Sequence, residues 1–166
     1  MISVFLQEEV CKPLDISGMF FGVPPESEHR VATLVNAVSL PQMDLSLTPS
    51  ISDVAGSFNR HNVRRAVIPG AGAITNARSL ARMYAALAAG GELNGVRLLS
   101  PERISIATTP QPENADSAEI RWWTAHGLGY TLGGGPGPRA GQPQAFGYEG
   151  IGTIGFADPK RRFALA

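Results

Sequence analysis

Residues 145–166 read AFGYEGIGTIGFADPKRRFALA, and this stretch decides the fold class. Short apolar and aromatic segments alternate in it with glycines and with the turn sequence Asp158-Pro159-Lys160-Arg161, a pattern typical of strands joined by turns. Because no crossover helix fits between these segments, we expect them to pair in antiparallel fashion. Together with one segment just upstream, the predicted strands are 128–132, 145–148, 153–157 and 162–166.

The residues before this sheet are predicted to be mainly helix and loop. The clearest helix covers 76–89, where Leu80, Met83, Tyr84 and Leu87 form one apolar face at helical spacing. Further helical stretches are predicted at 4–14, 29–37, 50–60 and 100–108, and loops at 15–28 and 109–124.

Local signals set the ends of these elements. Thr75 or Asn76 can cap the start of helix 76–89, and Gly90-Gly91 ends it. Asn94-Gly95 predicts a tight turn, and Ser100-Pro101 reads as the cap and first residue of the next helix. The first helix starts without a cap and the last strand stops within its pattern, so we expect both ends of the domain to be cut.

The composition restricts the function classes. A chain of 166 residues suits one domain, and 14 Lys+Arg against 14 Asp+Glu give no reason to expect nucleic acid or an anionic membrane as partner. The single cysteine, Cys11, excludes an internal disulfide and reads as an apolar residue on a helix face. No apolar run has the roughly 18 residues of a membrane span. The first residues do not resemble a signal peptide, so we expect a cytoplasmic protein.

Residues 150–155, GIGTIG, match the dinucleotide-binding pattern GxGxxG. That pattern needs a helix after the glycines, with the pyrophosphate at the N-terminus of the helix. Here a strand and the Asp158-Pro159 turn follow instead. We therefore interpret the glycines as positions where strands or a ligand approach closely, and we expect no nucleotide or other cofactor.

Motifs of serine hydrolases and metal sites are absent from the sequence. The two lysines, Lys12 and Lys160, are preceded by Glu9 and Ala157 where an S-x-x-K motif needs serine, and no tyrosine lies in Y-x-N. No cluster has metal-ligand spacing, the three histidines are scattered, and the basic groups at 60–65 and 160–162 read as a solvated loop and turn. We predict no catalytic residue and no metal ligand in this chain.

The order of several segments resembles the β-lactamase-related serine hydrolases, which include class C β-lactamases, penicillin-binding-protein-like peptidases and esterases. The resemblance covers nearly the whole chain and rests on order and spacing. The matching segments are 8–14 (EEVCKPL), 68–72 (IPGAG), 77–87 (ARSLARMYAAL), 90–93 (GGEL), 98–102 (LLSPE), 127–130 (GLGY) and 155–159 (GFADP).

This resemblance implies an α+β fold, with helices packed on an antiparallel sheet. Residues 1–166 would be a partial domain from the C-terminal part of the β-lactamase/transpeptidase-like fold, with helix and loop at 1–124 and strands at 125–166. The family's chemistry uses a serine and a lysine in S-x-x-K, a tyrosine in Y-x-N, and a third motif, KTG or H-x-G, on a strand. Since the first two motifs lie upstream of the matched segments in the family, their absence is what an N-terminal truncation would produce.

The resemblance places the third motif at residues 146–150, FGYEG. Tyr148 takes the Lys/His position, Glu149 the variable position and Gly150 the glycine, and the backbone N–H of Ile151 would face the oxyanion. Tyrosine departs from the pattern, although its hydroxyl can still donate a hydrogen bond. Two readings stay open for Tyr148, a wall of the substrate site or a residue that only packs on its strand.

Two functional hypotheses follow. In the first, the chain is the C-terminal part of an esterase or amidase that acts through an acyl-enzyme on a small ester or amide, and it is inactive alone. In the second, it is a non-catalytic remnant or interaction module that binds a protein partner through its sheet edge. The second hypothesis predicts that an open edge at 162–166 pairs readily with another chain, and we expect the C-terminal strand to allow self-association.

Overall fold

The structure is a computed structural model that describes residues 1–35, 54–111, 126–133, 141–150 and 153–166. The chain divides into two compact units, the first made of residues 1–8 and 18–75 and the second of residues 9–17 and 76–166. Within the described ranges, no helix is long and apolar enough to cross a membrane.

The first unit contains a two-stranded antiparallel sheet that sequence analysis missed. Strand β1, Met19–Phe21, pairs with β2, Ala73–Thr75, so that Met19 lies opposite Thr75. The prediction of a continuous loop at 15–28 is therefore wrong at Met19–Phe21. Three residues carry too little pattern to reveal a strand whose partner lies far away in sequence. Gly22 ends β1 with a φ of 77°, and a Cβ there would lie 2.7 Å from the Arg65 carbonyl oxygen.

The predicted helix at 4–14 exists but starts and ends earlier. Helix α1, Ile2–Phe5, continues as a π-helix at Leu6–Cys11, and turn residues follow as far as Asp15. Cys11 is buried, as expected for an apolar residue on a helix face, and burial raises the pKa of its thiol. Leu14 is also buried, whereas Phe5 is 59% exposed.

The described residues of the first unit contain three further short helices. They are a 3₁₀-helix at Pro25–Arg30, α2 at Val54–Phe58 and α3 at His61–Arg65. The first lies earlier than the predicted 29–37, α2 falls inside the predicted 50–60, and residues 36–53 lie outside the described part of the chain. The basic group at 60–65 is a helix and not the solvated loop that we expected.

One carboxylate links two of these helices. Glu28 Oε2 on the 3₁₀-helix accepts hydrogen bonds from Arg65 Nε at 3.0 Å and Arg65 Nη2 at 2.7 Å, and its Oε1 contacts His61 Nδ1. The Glu28 side chain is only 10% exposed. The Arg65 hydrogen bonds, with a smaller contribution from His61, lower the pKa of Glu28.

Glu28→Gln should therefore lower the stability of the fold at neutral pH. The stability of this variant should also change less than that of the wild type as the pH falls. A carboxylate whose pKa is lowered on folding stabilises the fold above its unfolded pKa of about 4.3, and this contribution is lost as the pH falls through the folded pKa. Melting temperatures of the wild type and Glu28→Gln between neutral and acidic pH measure the effect, with the exposed Glu26→Gln on the same helix as control. Parallel curves for all three proteins would contradict the prediction.

The second unit carries the predicted antiparallel sheet. Its strands are β5 Thr131–Leu132, β6 Phe146–Gly150, β7 Thr153–Asp158 and β8 Phe163–Leu165. They follow the order β5-β6-β7-β8 across the sheet, and every neighbouring pair is antiparallel. Strand β5 is shorter than the predicted 128–132, because Gly129 has a φ of 81° and extended structure begins only at Thr131.

The elements predicted between residues 76 and 108 are confirmed. Helix α4 covers Ala77–Ala88, and the Asn76 side chain accepts a hydrogen bond from the Ser79 N–H at 2.8 Å. Asn94 and Gly95 form the tight turn with φ values of 51° and 80°. The remaining elements are β3 Glu92–Leu93, β4 Val96–Arg97 and α5 Pro101–Ala107, which is capped by Ser100.

The core of the second unit lies between α4 and the sheet. Tyr84, Leu87 and Ala88 of the helix pack with Phe146 of β6 and Ala157 of β7. At Gly155 the helix approaches the sheet so closely that an added Cβ would lie 2.5 Å from Tyr84 Cε2 and 3.0 Å from Leu80 Cδ2. Glycine at this position therefore sets the distance between helix and sheet.

Asp158, at the end of β7, is buried and forms an ion pair with the exposed side chain of Arg161. Only 1% of the Asp158 surface is exposed, and its carboxylate accepts hydrogen bonds from the Arg161 N–H at 3.1 Å and from Arg161 Nη1 at 2.6 Å. Burial by itself raises the pKa of Asp158, but the hydrogen bonds from Arg161 and from the Lys160 N–H outweigh it, and the pKa is lowered. The ion pair stabilises the turn between β7 and β8 that the sequence predicted.

Gly155→Ala should destabilise the chain by about 1–3 kcal/mol, because the new methyl group overpacks the interface between α4 and β7. Chemical denaturation measures the loss in free energy of unfolding. Gly70→Ala is the matched control, since no atom lies within 4 Å of a Cβ built there. Equal stability of the two variants would show that α4 does not pack on Gly155.

Candidate functional site

The residues that sequence analysis selected lie at the end of β6. Tyr148, Glu149 and Gly150 pair with Gly155, Ile154 and Thr153 of β7. Ile151, the fourth predicted site residue, lies outside the described residues. Three of the four positions can therefore be placed on the sheet.

Strand geometry divides these three residues between the two faces of the sheet. Paired residues of antiparallel strands project to the same face, and successive residues alternate. Since Gly155 faces α4, Tyr148 and Gly150 lie on the face that α4 covers further along the strand. Glu149 projects to the opposite face with Ile154. The structure thus brings together Tyr148 and Gly150 and separates Glu149 from them.

The ring of Tyr148 lies directly over Gly150. A Cβ at Gly150 would lie 2.6 Å from Tyr148 Cε1 and 2.7 Å from the phenol oxygen. Any side chain at 150 would push the ring away, so the glycine makes the space in which the phenol rests. The two open readings of Tyr148 are not exclusive here, because the ring packs on its own strand while 58% of the residue stays exposed.

An exposed phenol at a strand end can both donate and accept a hydrogen bond. Tyr130, by contrast, packs edge-on against Phe146 with ring centroids 5.1 Å apart, and burial raises its pKa. Tyr84 is a core residue with 4% exposure. Tyr148 thus differs from the other two tyrosines in having an exposed side chain.

A separate groove in the second unit was not predicted. It has a volume of about 390 Å³ and lies between α5, β5 and the start of β6. Tyr148, Glu149 and Gly150 do not line it. No stretch of the sequence signalled this groove, because its lining comes from segments that only the fold brings together. The described lining includes Ile104, Thr108, Leu132, Pro143, Phe146 and Pro159.

Among the described residues, no group of three or more His, Cys, Asp or Glu side chains could hold a metal ion. The site at the end of β6 therefore consists of a phenol, a glycine and backbone groups. Such a set can bind and orient a small polar molecule, but it supplies no nucleophile.

The fold is an α+β domain in which helices pack on an antiparallel sheet, and the candidate site lies at the end of β6. The chain belongs to the Beta-lactamase family, whose model matches residues 2–166. The predicted resemblance and fold class are confirmed.

Two similar proteins have names that include an esterase, and one of the two names also includes a β-lactamase. The chain is 29% identical to the esterase/beta-lactamase LipL of Mycobacterium tuberculosis (strain ATCC 25618 / H37Rv), in a match that covers 98% of this chain and 41% of the relative. It is 29% identical to a family VIII carboxylesterase of known structure, with a TM-score of 0.77 over 99% of this chain and 44% of the other.

A penicillin-binding protein homologue from Caulobacter crescentus is also similar, with 28% identity and a TM-score of 0.75 over 99% of this chain and 45% of the other. EstA from Arthrobacter nitroguajacolicus Rue61a, at 22% identity and a TM-score of 0.76, shows the same fold. The chain spans less than half the length of each of these proteins.

Tetranitromethane should nitrate Tyr148 before Tyr84 or Tyr130. The reagent attacks accessible phenolates, and Tyr148 is 58% exposed, whereas Tyr84 is buried and the pKa of Tyr130 is raised. Peptide mass spectrometry after limited reaction identifies the modified residue, and Tyr148→Phe is the control. Nitration of Tyr84 or Tyr130 first would show that the phenol of Tyr148 is covered.

Proposed function

We propose that residues 1–166 supply one side of the substrate cleft of a serine hydrolase that acts on a small ester or amide through an acyl-enzyme. The observation that carries the proposal is the family match over residues 2–166 combined with an exposed phenol at the end of β6. An ester is supported as substrate class by the names of two similar proteins, an esterase/beta-lactamase and a family VIII carboxylesterase.

In this proposal the reacting groups come from outside the 166 residues. A serine of S-x-x-K would attack the carbonyl carbon, and the ester or amide bond would break to give the acyl-enzyme and a free alcohol or amine. A tyrosine of Y-x-N would assist the transfer of the serine proton to that leaving group, and water would then cleave the acyl-enzyme to give the acid and the free serine. The sequence contains neither motif. The chain alone should therefore bind weakly and not turn over, while a longer or complemented protein would be active.

Tyr148 is proposed to line the cleft. Its hydroxyl would donate a hydrogen bond to a polar atom of the substrate, and its ring, held over Gly150, would contact the acyl or alcohol group. The backbone N–H of Ile151 is proposed as a donor on the oxyanion side. Glu149 projects to the other face of the sheet, so its part in the site would be to support the strand.

The gene sequence upstream of the Met1 codon tests the origin of the missing motifs. We expect it to encode S-x-x-K and, farther on, Y-x-N, either in frame or after one frameshift. An upstream region without a trace of either motif would contradict the proposal.

Fluorophosphonate labelling tests whether the nucleophile lies outside these residues. The reagent should not label the isolated chain, and stoichiometric labelling of a serine would contradict the proposal.

A chimaera tests the role of Tyr148. Residues 1–166 would replace the matching part of the family VIII carboxylesterase, and hydrolysis of p-nitrophenyl butyrate would be measured. Tyr148→Ala should lower kcat/KM by about tenfold, and Tyr148→Phe should show how much of that loss belongs to the hydroxyl. Ile106→Ala, at an exposed position of α5, is the control. Full activity of Tyr148→Ala would exclude Tyr148 from the cleft.

One observation favours the second candidate function, an interaction module that acts through the sheet edge. Strand β8 ends the order of the sheet, and within the described part of the chain its strand neighbour is β7 alone. Such an edge offers backbone donors and acceptors to an added strand.

A further inference from the structure

We propose that the Asn59 side chain is a latch that fixes residues 31–35, here called the strap, against the end of helix α2. The strap and Asn59 both belong to the first unit. This proposal concerns a different part of the molecule from the Tyr148 site and does not depend on the proposed hydrolase function.

The latch consists of two hydrogen bonds between one amide side chain and one backbone position. The Leu34 N–H donates to Asn59 Oδ1 at 2.9 Å, and Asn59 Nδ2 donates to the Leu34 carbonyl oxygen at 2.9 Å. A side-chain amide offers one acceptor and one donor side by side, as a peptide group of a neighbouring strand does. Asn59 therefore pairs with both backbone groups of Leu34 at once, in the way that a second β-strand would.

Asn59 is itself held in place from two sides. Its backbone N–H donates to the Ala55 carbonyl oxygen of α2 at 3.0 Å, so the residue continues the last turn of that helix. From α3, Arg64 Nη2 donates to Asn59 Oδ1 at 2.8 Å, and the same nitrogen lies 3.4 Å from the Ala32 carbonyl oxygen of the strap. Because Arg64 can only donate, it determines which atom of the amide is the oxygen that faces the Leu34 N–H.

The strap depends on such polar contacts because its side chains contribute little packing. All strap residues are half-buried or exposed, and Leu34 and Val35 are 44% and 83% exposed. Leu34 and Asn59 are also 25 positions apart in the chain, so bringing them together costs loop-closure entropy that the contact has to offset. We therefore expect the Asn59 amide to decide whether the strap keeps this conformation.

Hydrogen exchange of the full chain, followed by NMR, tests the latch. In the wild type, the Leu34 amide should exchange more slowly than in an unstructured peptide. Asn59→Ala removes both hydrogen bonds and should accelerate the exchange of this amide by about tenfold. Asn62→Ala, the same change at an exposed position of α3, is the matched control and should leave the exchange rate unchanged.

Two further measurements separate a latch from a general contribution to stability. The amides of strands β1 and β2, which pair within the same unit, should keep their protection in Asn59→Ala. Arg64→Ala should accelerate exchange at Leu34 by itself, but it should add less in the Asn59→Ala background, because the amide that Arg64 orients is then missing.

The proposal is overturned by any of three results. They are a Leu34 amide that exchanges at the same rate in wild type and Asn59→Ala, an equal acceleration in β1 and β2, and effects of Asn59→Ala and Arg64→Ala that simply add. If Asn59→Ala does not fold, Arg64→Ala alone decides, and unchanged exchange at Leu34 in that variant overturns the proposal.

Discussion

The close approach of α4 to β7 at Gly155 is the constraint on which the second unit depends. A single missing side chain lets Tyr84 and Leu80 contact the strand directly, and the core of Tyr84, Leu87, Phe146 and Ala157 forms around that contact. Burial of these side chains is the main favourable term available to a unit with so few charged groups. The absence of a side chain at Gly155 thus allows the helix and the sheet to pack directly against each other.

This contact also shows which face of the sheet each candidate site residue occupies. Because Gly155 faces the helix, strand alternation assigns Tyr148 and Gly150 to that face and Glu149 to the other. The same alternation, carried one strand further, turns Ala164 into the core and leaves Phe163 and Leu165 outside. The face on which the proposed cleft wall lies is therefore a consequence of this register. A slip by one residue would exchange both sets of faces.

Helix and turn signals were reliable wherever they acted locally. The cap at Asn76, the turn at Asn94-Gly95 and the Ser100-Pro101 start lie where the sequence predicts them, because each depends on neighbouring residues alone. The strands of the second unit were also predicted, with β5 too long. Pairs between distant residues were missed, namely β1 with β2 and Glu28 with Arg65. Short segments gain such partners only after the chain has folded.

The sequence by itself determined the fold class, the antiparallel order of the last strands and, through the order of its segments, the family. The position of the third motif at residues 146–150 stays a prediction from that resemblance. The fold class, the strand order and the family depend on periodicity, turn chemistry and the order of segments, which the chain carries locally. Only the tertiary structure decided that the Tyr148 ring rests on Gly150, that Glu149 projects to the opposite face, and that the buried Asp158 carboxylate pairs with the exposed Arg161 side chain. Each of these depends on the register between strands and on the distance to a packed helix, which are properties of the folded chain and not of any one segment.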